Sequence, residues 1–296
     1  MEKLLTTREL AEAIGASESS MRRWTNSGAI QTSRTVGGHR RIPLSAAIRF
    51  IRESRATVVR PHALGLGDAA WRGGEEAGQD GGEEALCQAL MNGEAGRARG
   101  QVLAMYLGGT GLAAIFDGPV GRAMHRVGEL WQHDKRGVLV EHRATDICLQ
   151  VVNQLRQLLP PAAASAPAAV GGAPQGDPYL LPSMMAAAVL AEAGYRATSF
   201  GADTPLEVLA RAAEEQKAAL VWLSVSVAGQ EAQLRRAVRQ LAGKLSQQDA
   251  RLVLGGRHAA PLLPRNTPNV HLLATMSELA AFTRGAETLA ASVVAP

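Results

Sequence analysis

The stretch Thr35-Val36-Gly37-Gly38-His39-Arg40-Arg41-Ile42 decides the architecture of the first part of this chain. A Gly-Gly pair between β-prone segments predicts a hairpin turn. The turn is expected to place the three side chains that follow the glycines, His39, Arg40 and Arg41, on a protruding wing. A third helix is expected after this hairpin, over residues 46–53.

Two short helices are predicted before the hairpin. Thr6 and Glu9 have the spacing of a capping box, and Gly15 is a typical end for the helix that they begin. Ser17 is expected to cap a second helix over Glu18–Asn26. Two short helices joined by a tight turn are typical of a helix-turn-helix motif.

The second helix and the charge distribution both point to nucleic acid. Met21 and Trp24 are three residues apart and can both face the core, while Arg22 and Arg23 point outward. Arginine side chains suit both guanine edges and phosphates. Residues 1–60 carry 11 Lys or Arg and 5 Asp or Glu, although the whole chain has a net charge of only +4. A basic head on a near-neutral body indicates a polyanionic partner, and a solvated basic surface is the simpler alternative.

The ordered set of capped helix, turn, basic helix, Gly-Gly wing and closing helix resembles the winged helix-turn-helix domain of the MerR family. The segment Gly-Gly-His-Arg-Arg-Ile is similar to the wing of that family's light- and cobalamin-responsive branch, the CarH/LitR group. This resemblance implies a regulator that binds double-stranded operator DNA. The residues expected to contact the DNA are Arg22, Arg23, His39, Arg40 and Arg41.

The rest of the chain divides by composition. Residues 62–82 are rich in glycine, and four helices are then predicted over about 83–92, 95–107, 111–133 and 137–159. After a Pro/Ala segment, short apolar strands alternate with helices, which predicts a doubly wound parallel sheet. We therefore expect an α/β multidomain chain with a winged helix-turn-helix domain (1–60), a flexible linker (61–82), a four-helix bundle (83–160) and a Rossmann-like, flavodoxin-like sheet domain (161–296).

Compartment is inferred from what the sequence lacks. Cys87 and Cys148 show no metal-ligand spacing and are expected to be reduced thiols. Residues 1–8 lack the basic-then-apolar pattern of a signal peptide, and no apolar run approaches the roughly 20 residues that a membrane span needs. These features predict a soluble, cytoplasmic protein.

A motif in the predicted bundle concerns Trp131, Glu141 and His142. His142 is off the apolar stripe of its helix, so it either faces solvent or faces another domain or a ligand. The spacing resembles the Trp-x9-Glu-His motif of cobalamin-dependent photoreceptors of the MerR type. That resemblance implies that the three residues cap the upper face of adenosylcobalamin, with His142 as an upper cobalt ligand after photolysis.

The sheet domain carries a spacing that resembles a cobalamin-binding pattern. Asp177-x-Tyr179-x-x-Pro182 is followed after 41 residues by Ser224-x-Ser226, and 28 residues later by Gly255-Gly256. The resembled pattern has His at position 179, as the lower cobalt ligand, and Gly at position 182. Three alternatives follow: cobalamin binds with its own base or water below the metal, Tyr179 binds as a phenolate, or the domain has lost cobalamin.

The resemblance implies a repressor that forms a homo-oligomer, a dimer or tetramer, on operator DNA, and that light dismantles by cleaving the cobalt–carbon bond of adenosylcobalamin. The first alternative is a regulator whose cobalamin domain is degenerate and senses another chromophore or a protein partner. The second alternative is a corrinoid carrier of a methyltransferase. The basic head and the absence of a histidine at position 179 disfavour this alternative. The sequence also shows no pairing of a nucleophile with a base that would indicate an enzyme.

Overall fold

The computed structural model of the protein describes residues 2–35, 37–66, 79–130, 135–229 and 231–293. The chain forms two compact units. The first comprises Met1–Gly111 and Gly118–Pro161, and the second comprises Leu112–Asp117 and Ala162–Pro296. The sequence predicted three modules, whereas the N-terminal head and most of the predicted bundle fall within one unit.

The head of the first unit has the predicted helix-turn-helix and wing. Its elements are β1 (Leu4–Leu5), α1 (Thr7–Ile14), α2 (Glu18–Asn26), β2 (Ser33–Arg34), β3 (Arg40–Pro43) and α3 (Leu44–Ser54). The strands form an antiparallel sheet in the order β1-β3-β2. The third helix starts at Leu44, two residues earlier than predicted, because Pro43 provides a suitable N-cap conformation.

The caps predicted for the first two helices are present. Thr6 and Glu9 form a capping box at the start of α1, and Gly15 ends α1 in the left-handed conformation at φ 64°. The Ser17 side chain accepts from the Ser20 N–H at the start of α2. These caps fix the short turn that sets the angle between α1 and α2.

The head extends beyond the boundary that the sequence predicted. Residues Pro61–Leu64 form a short 3-10 turn against α1, and Leu64 and Leu66 are buried. The Val59 and Arg60 N–H groups both donate to the Ala13 carbonyl. Residues 61–66 are therefore part of the head and not of a flexible linker, because their apolar side chains complete its core. Residues 79–82 also differ from the predicted linker, because they belong to the helix that begins at Gln79. The rest of the linker prediction concerns 67–78, which lie outside the described residues.

The helical part of the first unit comprises α4 (Gln79–Asn92), α5 (Ala95–Leu107), α7 (Gly121–Leu130) and α8 (Lys135–Leu158). The single helix predicted over 111–133 is wrong. A short helix α6 (Leu112–Ile115) precedes an irregular stretch in which Gly118 is non-helical, at φ −85° and ψ −111°. Pro119 has no N–H to continue the helical ladder, and α6 belongs to the second unit.

The second unit contains the predicted parallel sheet. Its strands are β4 (Ala168–Gly172), β5 (Arg196–Ser199), β6 (Ala218–Ser224), β7 (Arg251–Gly255) and β8 (Val270–Leu272), all parallel and in the order β5-β4-β6-β7-β8. The long helices are α9 (Leu181–Glu192), α10 (Leu206–Gln216), α11 (Glu231–Ser246) and α12 (Met276–Val293). The connection between β7 and β8 forms only a 3-10 turn at Ala260–Leu262, because Pro261 and Pro264 interrupt this segment.

Helices cover both faces of this sheet. Alternate residues of β4 and β6, including Val170 and Val221, pack with α10 and α11 in the apolar core. The opposite face carries Trp222, whose indole reaches α9. The segment containing α6 adds a further contact within this unit, because Asp117 accepts hydrogen bonds from the N–H groups of Met276 and Ser277 and caps α12.

Among the helices that the structure describes, none has the length and apolar character needed to cross a membrane.

The capping box of α1 makes head stability depend on pH. The Thr6 N–H donates to the Glu9 carboxylate at 2.6 Å, and this bond lowers the pKa of Glu9. A lowered folded-state pKa contributes stability above the unfolded-state value, which is lost as the pH falls through the folded-state value. Glu9→Ala should therefore lower the free energy of unfolding by roughly 0.5–1 kcal/mol at pH 7, and by less as the pH approaches 4.

Urea unfolding between pH 7 and pH 4 measures this difference. Glu53→Ala is the matched control, because Glu53 is an exposed helical carboxylate in the same head. A Glu9→Ala difference that stays constant across this range would contradict the assigned role of the carboxylate.

Candidate nucleic-acid interface and ligand crevice

The exposed surface of α2 carries the predicted DNA-contacting arginines. Met21 is buried in the head, whereas Arg22 and Arg23 are exposed. Trp24 is half-buried and packs against Phe50 of α3, with 5.0 Å between ring centroids. The helix is therefore fixed by one face and presents two guanidinium groups on the other.

The wing is a hairpin of β2 and β3. The Thr35 N–H donates to the His39 carbonyl at 3.0 Å, and the Gly38 N–H donates to the Thr35 carbonyl at 2.8 Å. Gly38 has φ 76°, a conformation that glycine adopts at little cost. His39 is exposed beside this turn, while Val36 lies outside the described residues.

Arg40 occupies a different place from the one expected for a free wing arginine. Its Nη1 donates to Thr25 Oγ1 at 3.0 Å and to Asn26 Oδ1 at 2.7 Å, so it ties the wing to the last turn of α2. Arg41, the next residue of β3, lies on the opposite face of the strand, and its Nη1 donates to the Arg40 carbonyl at 3.1 Å. The two neighbouring arginines thus have different surroundings.

Two of the predicted cofactor-capping residues, Glu141 and His142, lie in α8. Glu141 is half-buried and His142 is exposed, while Trp131 lies outside the described residues. The apolar stripe predicted for this helix comprises Val140, Ala144, Ile147, Val151 and Leu155. The last four are buried, whereas Val140 is half-buried. His142 is on the other side of the helix, as its spacing predicted.

The strand order of the second unit creates a switch point between β4 and β6, beyond whose carboxyl ends ligands bind in folds of this type. Asp177 lies there in the loop after β4, and only 1% of its surface is exposed. Its carboxylate accepts from the Ser226 N–H at 2.5 Å and from the Tyr179 N–H at 3.0 Å. Asp177 therefore joins the loop after β4 to the end of β6.

Tyr179 and Pro182 follow Asp177 at the start of α9. The Tyr179 side chain is 40% exposed, whereas Ser224, at the end of β6, is buried. Pro182 is in the first turn of α9, where a missing N–H costs nothing. The proline that replaces the expected glycine is therefore explained by the start of this helix.

The Gly255-Gly256 pair is required by the protein's own backbone. The Val225 N–H donates to the Gly255 carbonyl at 2.8 Å, and the His258 N–H donates to the Val225 carbonyl at 3.0 Å. A Cβ added at Gly256 would lie 2.5 Å from the Val225 oxygen, and Gly256 has φ 100°. The close approach is thus made by β6 and not left open for a ligand.

Gly171 of β4 is covered in a similar way. A Cβ at Gly171 would lie 2.1 Å from the Trp222 ring, because the indole fills the space above this glycine. Trp222 is 1% exposed, and its Nε1 donates to Ser183 Oγ of α9 at 3.0 Å. Ser183 in turn pairs with Ser199 Oγ at 2.9 Å.

These contacts test whether the second unit suits a buried nucleotide tail of cobalamin. The predicted residues Asp177, Ser226, Gly255 and Gly256 do meet around the end of β6. Asp177 is hydrogen-bonded to Ser226, Gly255 is hydrogen-bonded to Val225, and the Val225 backbone packs closely on Gly256. The α9 side of the sheet beside Gly171 is filled by Trp222. The residues described here therefore do not fit a tail inserted against the sheet.

Other functional positions were not found from the sequence. Thr25 and Asn26 anchor the wing, and Trp222 fills the sheet face. The alternation of side chains along β3 could have indicated the anchoring role of Thr25 and Asn26. Ile42 is buried and Arg40 lies on the same face of the strand, so Arg40 is expected to face the head. No group of three or more metal-ligating side chains occurs among the described residues.

The two parts of the first unit each match a known family. A helix-turn-helix domain matches residues 4–55, and a B12 binding domain matches residues 83–156. The chain matches no curated protein. It therefore carries a helix-turn-helix domain followed by helices of the B12-binding type, and this second match supports cobalamin binding.

Three solved structures are similar to this chain. The monomethylamine corrinoid protein of Methanosarcina barkeri is 16% identical over 68% of this chain and 96% of its own, with a TM-score of 0.49. A cobalamin-binding protein of Desulfitobacterium hafniense is 17% identical, over 69% and 97%, with a TM-score of 0.33. The methanol:cobalamin methyltransferase complex of Methanosarcina barkeri is 15% identical, over 79% and 90%, with a TM-score of 0.33.

The contacts of Arg40 predict that it affects DNA binding through Asn26. Arg40→Ala and Asn26→Ala should each weaken binding to duplex DNA about three- to tenfold, since each breaks the same charge-assisted hydrogen bond. The double variant should be scarcely weaker than either single one. Fluorescence anisotropy on the full chain measures all four affinities.

Arg41→Ala is the control for this cycle, because Arg41 lies on the same strand but faces away from α2. Its effect should add to that of Asn26→Ala. Full additivity of Arg40→Ala and Asn26→Ala would instead show that Arg40 acts independently of α2.

Proposed function

We propose that this protein is a transcription regulator of the MerR type, a repressor, whose binding to double-stranded operator DNA is controlled by a sensory module built on the cobalamin-binding plan. The observation that carries the proposal is the winged helix-turn-helix, which holds Arg22 and Arg23 on the exposed face of α2. The match of the following helices to a B12 binding domain supports the sensory part. We propose a regulator and not an enzyme.

The DNA-binding roles follow from the geometry of the head. Arg22 and Arg23 are proposed to read base edges or phosphates from α2, and His39 and Arg41 to contact the backbone from the wing. Arg40 was expected to contact DNA from the wing as well. Its bonds to Thr25 and Asn26 give it the further task of holding the wing at a fixed distance from α2.

The sensory roles follow from the resemblance. Trp131, Glu141 and His142 are proposed to cap adenosylcobalamin, whose cobalt–carbon bond would supply the photochemistry. In the sheet domain, the same resemblance proposes cofactor contacts at Asp177, Tyr179, Ser224, Ser226, Gly255 and Gly256. These contacts would have to lie outside the space that Trp222 fills. The chain is proposed to assemble as a homodimer or homotetramer. A boundary of the sheet domain near residue 160 belongs to the same proposal.

A second candidate is favoured by particular observations. Tyr179 offers a phenol in place of an imidazole, Pro182 belongs to the first turn of α9, and Trp222 fills the sheet face. In this second candidate the protein is still a DNA-binding regulator with the same domains, but its sheet domain is degenerate and has lost cobalamin binding. It then responds to another chromophore or to a protein partner.

The DNA-binding proposal predicts a salt dependence that the variants change in different ways. On duplexes selected from random-sequence DNA, the logarithm of affinity should fall linearly with the logarithm of salt concentration. Arg41→Ala should reduce this slope by about 0.9, the value for one phosphate contact. Arg22→Ala or Arg23→Ala should reduce the preference for selected over unrelated duplexes by about 1–3 kcal/mol.

Arg211→Ala is the control, because Arg211 is an exposed arginine of α10 that pairs with Glu215. It should leave both quantities unchanged. Two results would contradict the assignment of this surface. One is an affinity for duplex DNA that does not rise as the salt concentration falls. The other is a salt slope and a duplex preference of the α2 and wing variants that equal those of the parent.

The corrinoid proposal predicts a spectroscopic result. The parent should take up adenosylcobalamin weakly in the dark, because Tyr179 supplies no imidazole below the metal. Tyr179→His should strengthen binding modestly, because an imidazole is a better cobalt ligand than a phenol. Tyr179→His with Pro182→Gly tests whether the start of α9 restricts this position, since glycine frees a backbone that Pro182 fixes. Absorbance titration in the dark, followed by green light, measures affinity and photolysis; no uptake by the parent or either variant would favour the degenerate domain.

A further inference from the structure

Arg52 joins the head to the helical part of the first unit. It lies in the last turn of α3, and its guanidinium carbon is 3.8 Å from the centroid of the Tyr106 ring on α5. Its Nη1 also donates to the carbonyl groups of Tyr106 and Thr110, the latter at 3.0 Å. One side chain therefore stacks on α5 and binds its end.

The end of α5 is a suitable place for a cation. Helices finish with carbonyl groups that lack intrahelical partners, and the helix dipole adds partial negative charge there. The Gly108 and Thr110 N–H groups bond the Ala104 and Met105 carbonyls. The Tyr106 carbonyl accepts from the Gly109 N–H at 3.1 Å and from Arg52 as well. The Tyr106 ring is buried, so a hydrogen bond and a cation–π contact of Arg52 act at the same point.

This contact connects the two regions that the family matches define. Arg52 lies within the helix-turn-helix match at 4–55, and Tyr106 lies within the B12 binding match at 83–156. Helix α3 also packs near α8, which carries Glu141 and His142. The DNA-binding surface assigned above is on α2 and the wing, whereas the Arg52 guanidinium is directed to α5.

We infer that Arg52 is a positioning residue for DNA binding, which docks the winged head on the C-terminus of α5 and so makes the orientation of the head depend on the sensory helices. This inference rests on the proposed function. A docked head presents α2 at one fixed angle, and in an oligomer two docked heads have one fixed separation. Binding to two half-sites then depends on that separation, whereas binding to one half-site does not.

The docking is tested first by a distance measurement on the full chain. Spin labels at Glu18→Cys on α2 and Asn153→Cys on α8 report the position of the head relative to the helical part. The native cysteines are buried, and burial raises the pKa of Cys87 and raises that of Cys148 to about 12, so labelling favours the introduced thiols. The expected result is one narrow distance distribution for the otherwise unchanged chain.

Arg52→Ala should broaden this distribution, and Arg49→Ala should not. Arg49 is the matched control, because it is an arginine of the same helix that donates to Gln31 within the head. Arg52→Lys keeps the charge but loses the planar fork, and it should give an intermediate width. A narrow distribution for Arg52→Ala, equal to that of Arg49→Ala, would overturn the inference, and Arg52→Lys provides the comparison if Arg52→Ala does not fold.

The second measurement separates positioning from direct contact with DNA. On a selected duplex with two half-sites, Arg52→Ala should bind about tenfold more weakly than the parent, whereas on a duplex with one half-site the two should agree within about twofold. An equal loss on both duplexes would make Arg52 a direct DNA contact and overturn the inference. A parent that binds neither duplex would contradict the proposed function, while the label distances would still decide whether Arg52 docks the head.

Discussion

Each helix begins with N–H groups and ends with carbonyl groups that have no partner within the helix, and this constraint accounts for several of the contacts that join one described element to another. Glu9 and Thr6 satisfy the start of α1, and Asp117 satisfies the start of α12 across 159 residues of sequence. Arg52 satisfies the end of α5. The apolar cores hold the elements together, but these polar contacts determine where one element meets the next.

The sequence predicted local features better than these distant contacts. The capping box, the Gly15 helix end, the Gly-Gly hairpin and the parallel sheet were all predicted, because each depends on periodicity or on residues a few positions apart. The long helix over 111–133 was wrong, although Pro119 gave a local signal against it. Asp117 and Arg52 could not be placed, because their partners depend on how elements pack.

In the candidate sites, too, the sequence predicted which residues lie together but not the contacts that depend on packing. The resemblance to a cobalamin-binding pattern singled out Asp177, Ser226 and Gly256, and they lie at one end of the sheet because parallel strands end together. Spacing did not show that their polar groups would be used by the protein itself. The wing arginines were likewise found as a pair, and only strand alternation together with the buried Ile42 separates Arg40 from Arg41.

Trp222 and Gly171 explain why the sheet of this protein does not need a ligand to fill its α9 face. The two residues are opposite each other in neighbouring strands, and the indole occupies the volume that the glycine leaves. Removing a buried side chain of this size costs about 3–5 kcal/mol, which is a large part of the stability of a domain. A sheet that left this space empty would bear a cost of that order until a ligand bound. Trp222 fills this space from within, so a corrinoid bound by this chain would gain no affinity from burial beside Gly171.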